Sequence, residues 1–151
     1  MKLCIVIFTL FLSLQCFAKP IEIGKRSEEA IEVSIYYLIS NPDKFNGKLV
    51  RFSGVITLEF EGKAIYSDLD SFKYFISRNA LSLDLRNSPL NLNKEQEEII
   101  YGKYVELEGI FRGNPPAEPT CLLTRNCVRI GANYAGTLSN IKFLQESVAL
   151  R

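Results

Sequence analysis

The stretch from Lys48 to Tyr66 constrains the fold more than any other part of the chain. Val50, Phe52, Gly54, Ile56, Leu58 and Phe60 alternate with Arg51, Ser53, Thr57 and Glu59, broken only by Leu49 and Val55. Successive side chains of a strand point to opposite faces, so this spacing predicts one strand over 48–60 with one buried and one largely wet face. Glu61-Gly62 then turns the chain into a second strand, Lys63 to Tyr66. A typical strand holds about 5–6 residues. A run as long as 48–60 cannot lie flat on a small core and must coil, most easily at Gly54, where no side chain obstructs the bend. Such a coiled strand is expected to be shared between two halves of a closed barrel.

The chain opens with Lys2, an apolar run from Leu3 to Leu14, and Cys16-Phe17-Ala18. This pattern reads as a signal peptide over 1–18, cleaved after Ala18. The run is too short to span a bilayer, which needs about 20 apolar residues, so no stable membrane span is expected after processing. Lipid attachment at Cys16 is the weaker reading, because Gln15, directly before it, is not small. Residues 19–26 read as a polar, flexible lead-in, and 27–151 as one domain. Loss of Lys2 leaves 17 basic against 17 acidic residues. A formally neutral domain has no general pull on nucleic acid or membranes. The exported chain retains Cys121 and Cys127, an even pair that reads as a disulfide in a periplasmic or secreted protein. Closing so short a loop would stabilise by about 2 kcal/mol. A zinc site is the weaker alternative, since the sequence contains no histidine.

Along the chain, Ser27 followed by Glu28 and Glu29 reads as a helix start, with Ile31, Ile35, Leu38 and Ile39 as its apolar stripe. A competing reading makes Ile31-Glu32-Val33 a short strand and starts the helix at Ser34. Asn41-Pro42 ends the helix in either case. Ser67-x-x-Asp70 has the form of a capping box, with Leu69, Phe72 and Ile76 continuing at helical spacing to Asn79. Leu81, Leu83 and Leu85 alternate with Ser82 and Asp84 as a third strand. Asn93-x-x-Gln96 opens a helix that Gly102 stops. Val105, Leu107, Gly109 and Phe111 mark a fourth strand, and Thr137–Leu144 a last one, in which Leu138 and Ile141 break alternation and predict a bulge.

Residues 47–56 and 102–111 share the pattern Gly-Lys-x-Val-x-apolar-x-Gly-apolar-apolar. Two copies are too few for a solenoid, but they give the first and fourth strands equivalent roles. Three strands, a helix and two strands is the order of the OB-fold, a five-stranded Greek-key barrel. The expected fold is therefore mainly β: an OB-like five-stranded barrel with an N-terminal helix and a helix between strands three and four. The run VSIYYLISNPDKFNGKLVR at 33–51, followed by Gly54 and Leu58-Glu59-Phe60-Glu61-Gly62, resembles small exported bacterial OB-fold-like proteins of uncharacterised function. The resemblance covers residues 33–85 best. It implies architecture and brings no catalytic residues, and the proline-rich segment 113–127 has no counterpart in it.

Without histidine, Ser-His-Asp and Cys-His mechanisms are excluded. Glu59 with Glu61, and Asp68 with Asp70, invite a carboxylate or divalent-cation reading. The better account places the first pair at a hairpin turn and the second at a helix start, where carboxylates are favourable anyway. No phosphate loop or dinucleotide fingerprint is present, so no catalytic residue, metal or cofactor is expected. The connection from about Gly113 to Gly136 is longer than compact domains usually carry without a use. Tyr66, Arg112, Arg125, Arg129 and Tyr134 could line a ligand surface there, with Phe60 assigned to the core. The leading functional expectation is a non-catalytic module that binds a protein or peptide of the bacterial envelope. An oligonucleotide- or oligosaccharide-binding domain is the first alternative, and a hydrolase using carboxylates and a metal the second.

Overall fold

A computed structural model describes residues 20–59, 62–114 and 133–147. The leader at 1–18, Phe60, Glu61, Cys121, Arg125, Cys127 and Arg129 lie outside the described residues. In chain order the described elements are strands β1 (Glu22–Gly24) and β2 (Ile31–Glu32), helices α1 (Ile35–Ser40) and α2 (Pro42–Phe45), then strands β3 (Leu49–Thr57) and β4 (Ala64–Tyr66). Helix α3 (Leu69–Lys73) and a 3-10 turn (Ser77–Asn79) lead to β5 (Ala80–Asp84), followed by α4 (Lys94–Ile100), β6 (Tyr104–Gly113) and β7 (Gly136–Glu146).

Five strands close a barrel in the order β3-β4-β5-β7-β6 and back to β3; all contacts are antiparallel except β5 with β7. This is the OB arrangement, with α4 between its third and fourth strands and the other helices peripheral. The barrel is filled by side chains such as Val50, Phe52, Ile56, Ile65, Leu81, Leu107, Phe111 and Leu144, all buried. Among the described residues no helix is long and apolar enough to cross a membrane.

The repeated pattern explains how the barrel turns its corner. Its two copies, β3 and β6, pair with each other so that Val50 faces Gly109 and Gly54 faces Val105. The relation is a local two-fold that extends to the strand ends. Gly47 donates to the Phe111 carbonyl at 2.8 Å and Gly102 to the Ile56 carbonyl at 2.9 Å, with φ of 75° and 70° at the two glycines. At Val55 the strand β3 changes partner from β6 to β4. A Cβ on Gly54 would lie 2.4 Å from the Tyr66 carbonyl oxygen, and one on Gly109 would lie 2.9 Å from that of Ser139. Each glycine therefore lets a third strand close onto the pair, as the coiling argument for Gly54 requires.

The predicted bulge in the last strand is present. From Glu108–Phe143 to Ile110–Ser139, two steps along β6 correspond to four along β7, with Asn140 at φ 47°. Both residues that break alternation, Leu138 and Ile141, are thereby buried.

Three expectations need correction. Ser27 does not start a helix: Ile31–Glu32 is a strand parallel to β3, and Ser34 caps α1 by accepting from the Tyr37 amide at 3.2 Å. The ladder to Val50 and Arg51 outweighs the local helix signal of Glu28 and Glu29. The lead-in at 19–26 is not irregular throughout, because Glu22–Gly24 pairs with Phe143–Gln145 of β7. The cap of α3 is Asp68 rather than Ser67, accepting from the Ser71 amide at 2.7 Å. The box at Asn93 and Gln96, by contrast, forms reciprocally as expected.

What fastens the lead-in is a buried ion pair on the outer face of the barrel. Glu108 is fully buried although charged. The cross-strand partner Arg51 donates to its Oε2 from Nη2 at 2.8 Å and from Nε at 3.2 Å. The Ser27 amide donates to both carboxylate oxygens at 3.1–3.2 Å, and the Ser27 carbonyl accepts from Arg51 Nη2. The charges thus satisfy each other and clamp one backbone unit over the sheet.

Candidate functional site

The outer face of β5 and β7 carries a groove of about 500 Å³, lined by Gly62, Lys63, Ser82, Asp84, Arg86, Tyr134 and Thr137 together with Leu83 and Leu85. Alternation in β5 produces it: Leu81 and Leu83 enter the barrel, which leaves Ser82 and Asp84 outside. The parallel register of β5 and β7 sets Thr137 beside Ser82. Their hydroxyls bond at 2.8 Å, and Ser82 Oγ also donates to the Gly136 carbonyl at 3.3 Å.

At one end stands Tyr134, where the long connection returns to the barrel. Its carbonyl accepts from Asn114 Nδ2 at 2.8 Å, and the neighbouring Ala135 amide donates to the Ala80 carbonyl at 2.9 Å. At the other end Asp84 accepts from Arg86 Nε at 3.0 Å, and this bond holds the Asp84 carboxyl below its ordinary range. Lys63 faces Glu97 of α4 at 3.5 Å. Both cations of the groove are therefore matched by a carboxylate.

Of the residues expected to form a ligand surface, Tyr134 lines the groove. Arg112 is exposed and pairs in register with Thr137, one strand away. Tyr66 stands behind this surface and not on it: only 3 % of it is exposed, within a second cluster of Val55, Ala64 and Ala80 backed by Phe72 and Tyr134. The whole of β4 is buried because these two rings cover its outer side. Burial, with the adjacent Tyr134 hydroxyl as second cause, pushes the Tyr66 phenol up to about 12. From Tyr66 the rings continue edge to face, Tyr66 to Phe72 at 5.8 Å and Phe72 to Tyr101 at 5.7 Å.

Lys63, Ser82, Asp84, Arg86 and Thr137 were not singled out by sequence reasoning. The outward direction of Ser82 and Asp84 follows from the leucine alternation, but Thr137 joins them only through the pairing of β5 with β7. Asp68 and Asp70 do not converge on a common site; Asp68 is consumed by the cap, and Glu59 accepts from the Tyr101 hydroxyl. Among the described residues no three His, Cys, Asp or Glu side chains gather in a group that could hold a metal ion. The groove presents hydroxyl, phenol and matched charges, groups suited to hydrogen bonding a ligand. Comparison of the chain with protein-family models, with curated proteins and with solved structures finds no match.

Proposed function

We propose that this chain is an exported, non-catalytic binding module whose groove on β5 and β7 receives an extended segment of an envelope or extracellular protein. The observation that carries the reading is the groove's place. It opens on the third strand of the barrel, between the connection from β3 to β4 and the connection from β6 to β7, the loops with which this architecture receives ligands. The chemistry of the lining narrows the class of ligand. A polyanion draws most of its affinity from cations free to neutralise phosphates, whereas Arg86 and Lys63 already face Asp84 and Glu97. Neutral donors and acceptors at Ser82, Thr137 and Tyr134 suit peptide groups better. The leader, with its apolar run and Ala18, supports export to the periplasm or beyond.

Calorimetric titration against a panel of unstructured, mixed-charge peptides and against single-stranded oligonucleotides at low salt tests the proposal. Peptide binding that is lost in Ser82→Gln, with an unchanged thermal midpoint, is the expected result. Oligonucleotide binding that weakens steeply with salt, or peptide binding indifferent to Ser82, overturns it.

A further inference from the structure

The connection between β4 and β5 projects from the barrel as a small, tightly cinched knuckle. At its base the Ser67 amide donates to the Asn79 carbonyl at 2.9 Å, and Asn79 Nδ2 donates to Ser71 Oγ at 3.1 Å. Asp68 accepts from Ser67 Oγ at 2.6 Å, Ser71 Oγ at 2.8 Å and the Tyr36 hydroxyl at 2.9 Å, besides the Ser71 amide. The tip is Tyr74-Phe75-Ile76, with Tyr74 and Phe75 each 65 % exposed and Ile76 42 %. Leu69, one helical turn earlier, is also exposed.

The backbone at this tip has an unusual occupant. Helix α3 ends in a Schellman motif: the Ile76 amide donates to the Ser71 carbonyl at 2.9 Å and the Phe75 amide to that of Phe72 at 3.2 Å. The residue between must take left-handed geometry, which is ordinarily left to glycine because a Cβ there is strained. Here it is Phe75, at φ 52°. The ring does not recover the strain by burial, since most of it faces solvent. A rigid, strained, outward aromatic is a reason to look for an apolar phase outside the protein.

The flanking charges say which phase. Lys73 and Arg78 stand on either side of the tip, both exposed, and neither forms an ion pair among the described residues. Lys73 lies over the Tyr74 ring at 5.3 Å, so its charge stays beside the apolar surface. No acidic residue occurs between 71 and 83; Asp70 is at the far end of α3 and Asp68 is occupied. An apolar aromatic tip ringed by cations complements a bilayer interface, where aromatic rings sit at headgroup level and long cations reach lipid phosphates.

We propose that the Tyr74-Phe75-Ile76 knuckle inserts into the interface of an anionic lipid bilayer, with Lys73 and Arg78 on the headgroups, and so holds the groove beside a membrane. This site is separate from the groove, and its test does not depend on the peptide ligand.

The experiment is co-sedimentation of the exported chain, its N-terminus read by mass spectrometry, with vesicles of phosphatidylcholine containing 30 % phosphatidylglycerol or none. The expected result is partition onto the anionic vesicles that drops at least tenfold in Phe75→Gly and in Lys73→Glu/Arg78→Glu. Phe75→Gly should at the same time raise the denaturation midpoint, because relief of the left-handed position at φ 52° outweighs the entropy that glycine adds to the unfolded chain. Loss of binding in a variant that is more stable than the parent cannot come from misfolding. Absence of partition, equal partition of parent and Phe75→Gly, or a lowered midpoint in that variant overturns the proposal.

Discussion

Arg51 and Glu108 offer the sharpest test of how the outer face is held together. The Arg51 side chain is 11 % exposed and that of Glu108 is not exposed at all, so removing the arginine strands a carboxylate away from water. Breaking a buried pair in this way costs about 3–5 kcal/mol. The Ser27 amide continues to donate to both oxygens after Arg51→Met, which places the expected loss near the lower end, about 3 kcal/mol. For a chain of this size that is about 10 °C in the thermal midpoint. Glu108→Met should cost less, about 1–2 kcal/mol, because Arg51 keeps its bond to Glu32 at 3.2 Å and Glu32 is largely in solvent. With both residues changed to methionine no charge is stranded, and the double variant should be more stable than Arg51→Met alone. Urea denaturation of the four proteins, with the slope checked for constancy, measures the cycle. Additive losses, or an Arg51→Met cost below about 1 kcal/mol, would show that the pair does not act as a buried unit.

Gly54→Val should destabilise by about 1–3 kcal/mol, as overpacking does, since the added Cβ meets the Tyr66 carbonyl at 2.4 Å and Ile65 Cγ1 at 2.7 Å; an unchanged urea midpoint would refute the close approach. Asp68 is held well below its usual carboxylate range by the Ser67 hydroxyl first and the Ser71 amide second. Its contribution is therefore present above the unfolded pKa of about 3.9 and lost as pH falls below it, so Asp68→Asn should flatten the acid limb of a stability-versus-pH curve. Tyr66 is shifted up to about 12, so its contribution is complete below the unfolded value of about 10 and fades as pH rises through the folded one. Tyr101 is also raised, by its bond to Glu59 first, so ultraviolet titration should find a late phenol that is missing in Tyr66→Phe while the Tyr101 phase persists. Thiol titration of the unfolded, unreduced chain beginning at Lys19 should find Cys121 and Cys127 unreactive, and two free sulfhydryls would remove the expected disulfide.

The barrel was legible because its long strands announce themselves. In β3, β5 and β6 the apolar positions recur at period 2, and the glycines mark where the pair must bend; these are local facts with one solution. Features decided by partners were not legible. Ile31–Glu32 looks as much like a helix stripe as a strand until Val50 and Arg51 are beside it. Glu108 sits in the pattern as an outward, wet residue, and Ser27, 81 positions away, together with Arg51 across the ladder, turns that position into an interior. Tyr66 was misplaced for the same reason: the outer side of β4 would be a surface if Phe72 and Tyr134 did not cover it. The groove needed one further non-local fact, the parallel pairing of β5 with β7.

The same division explains where the two proposed surfaces lie. Strands β3 and β6 are long, nearly symmetric and committed to each other, and the positions at which their shared pattern varies, Arg51 and Ser53 against Glu106 and Glu108, are opposed across the ladder and lie toward the N-terminal lead-in. Strands β4 and β5 are short, three and five residues, and a ladder of that length needs support from outside. It is supplied from both ends, by Tyr134 and Ala135 returning along one side and by the Asp68-centred knuckle on the other. The supports are loops, free to vary without disturbing the barrel. A binding groove and an apolar tip can therefore be built on this half of the molecule, while the symmetric half fixes the frame that carries them.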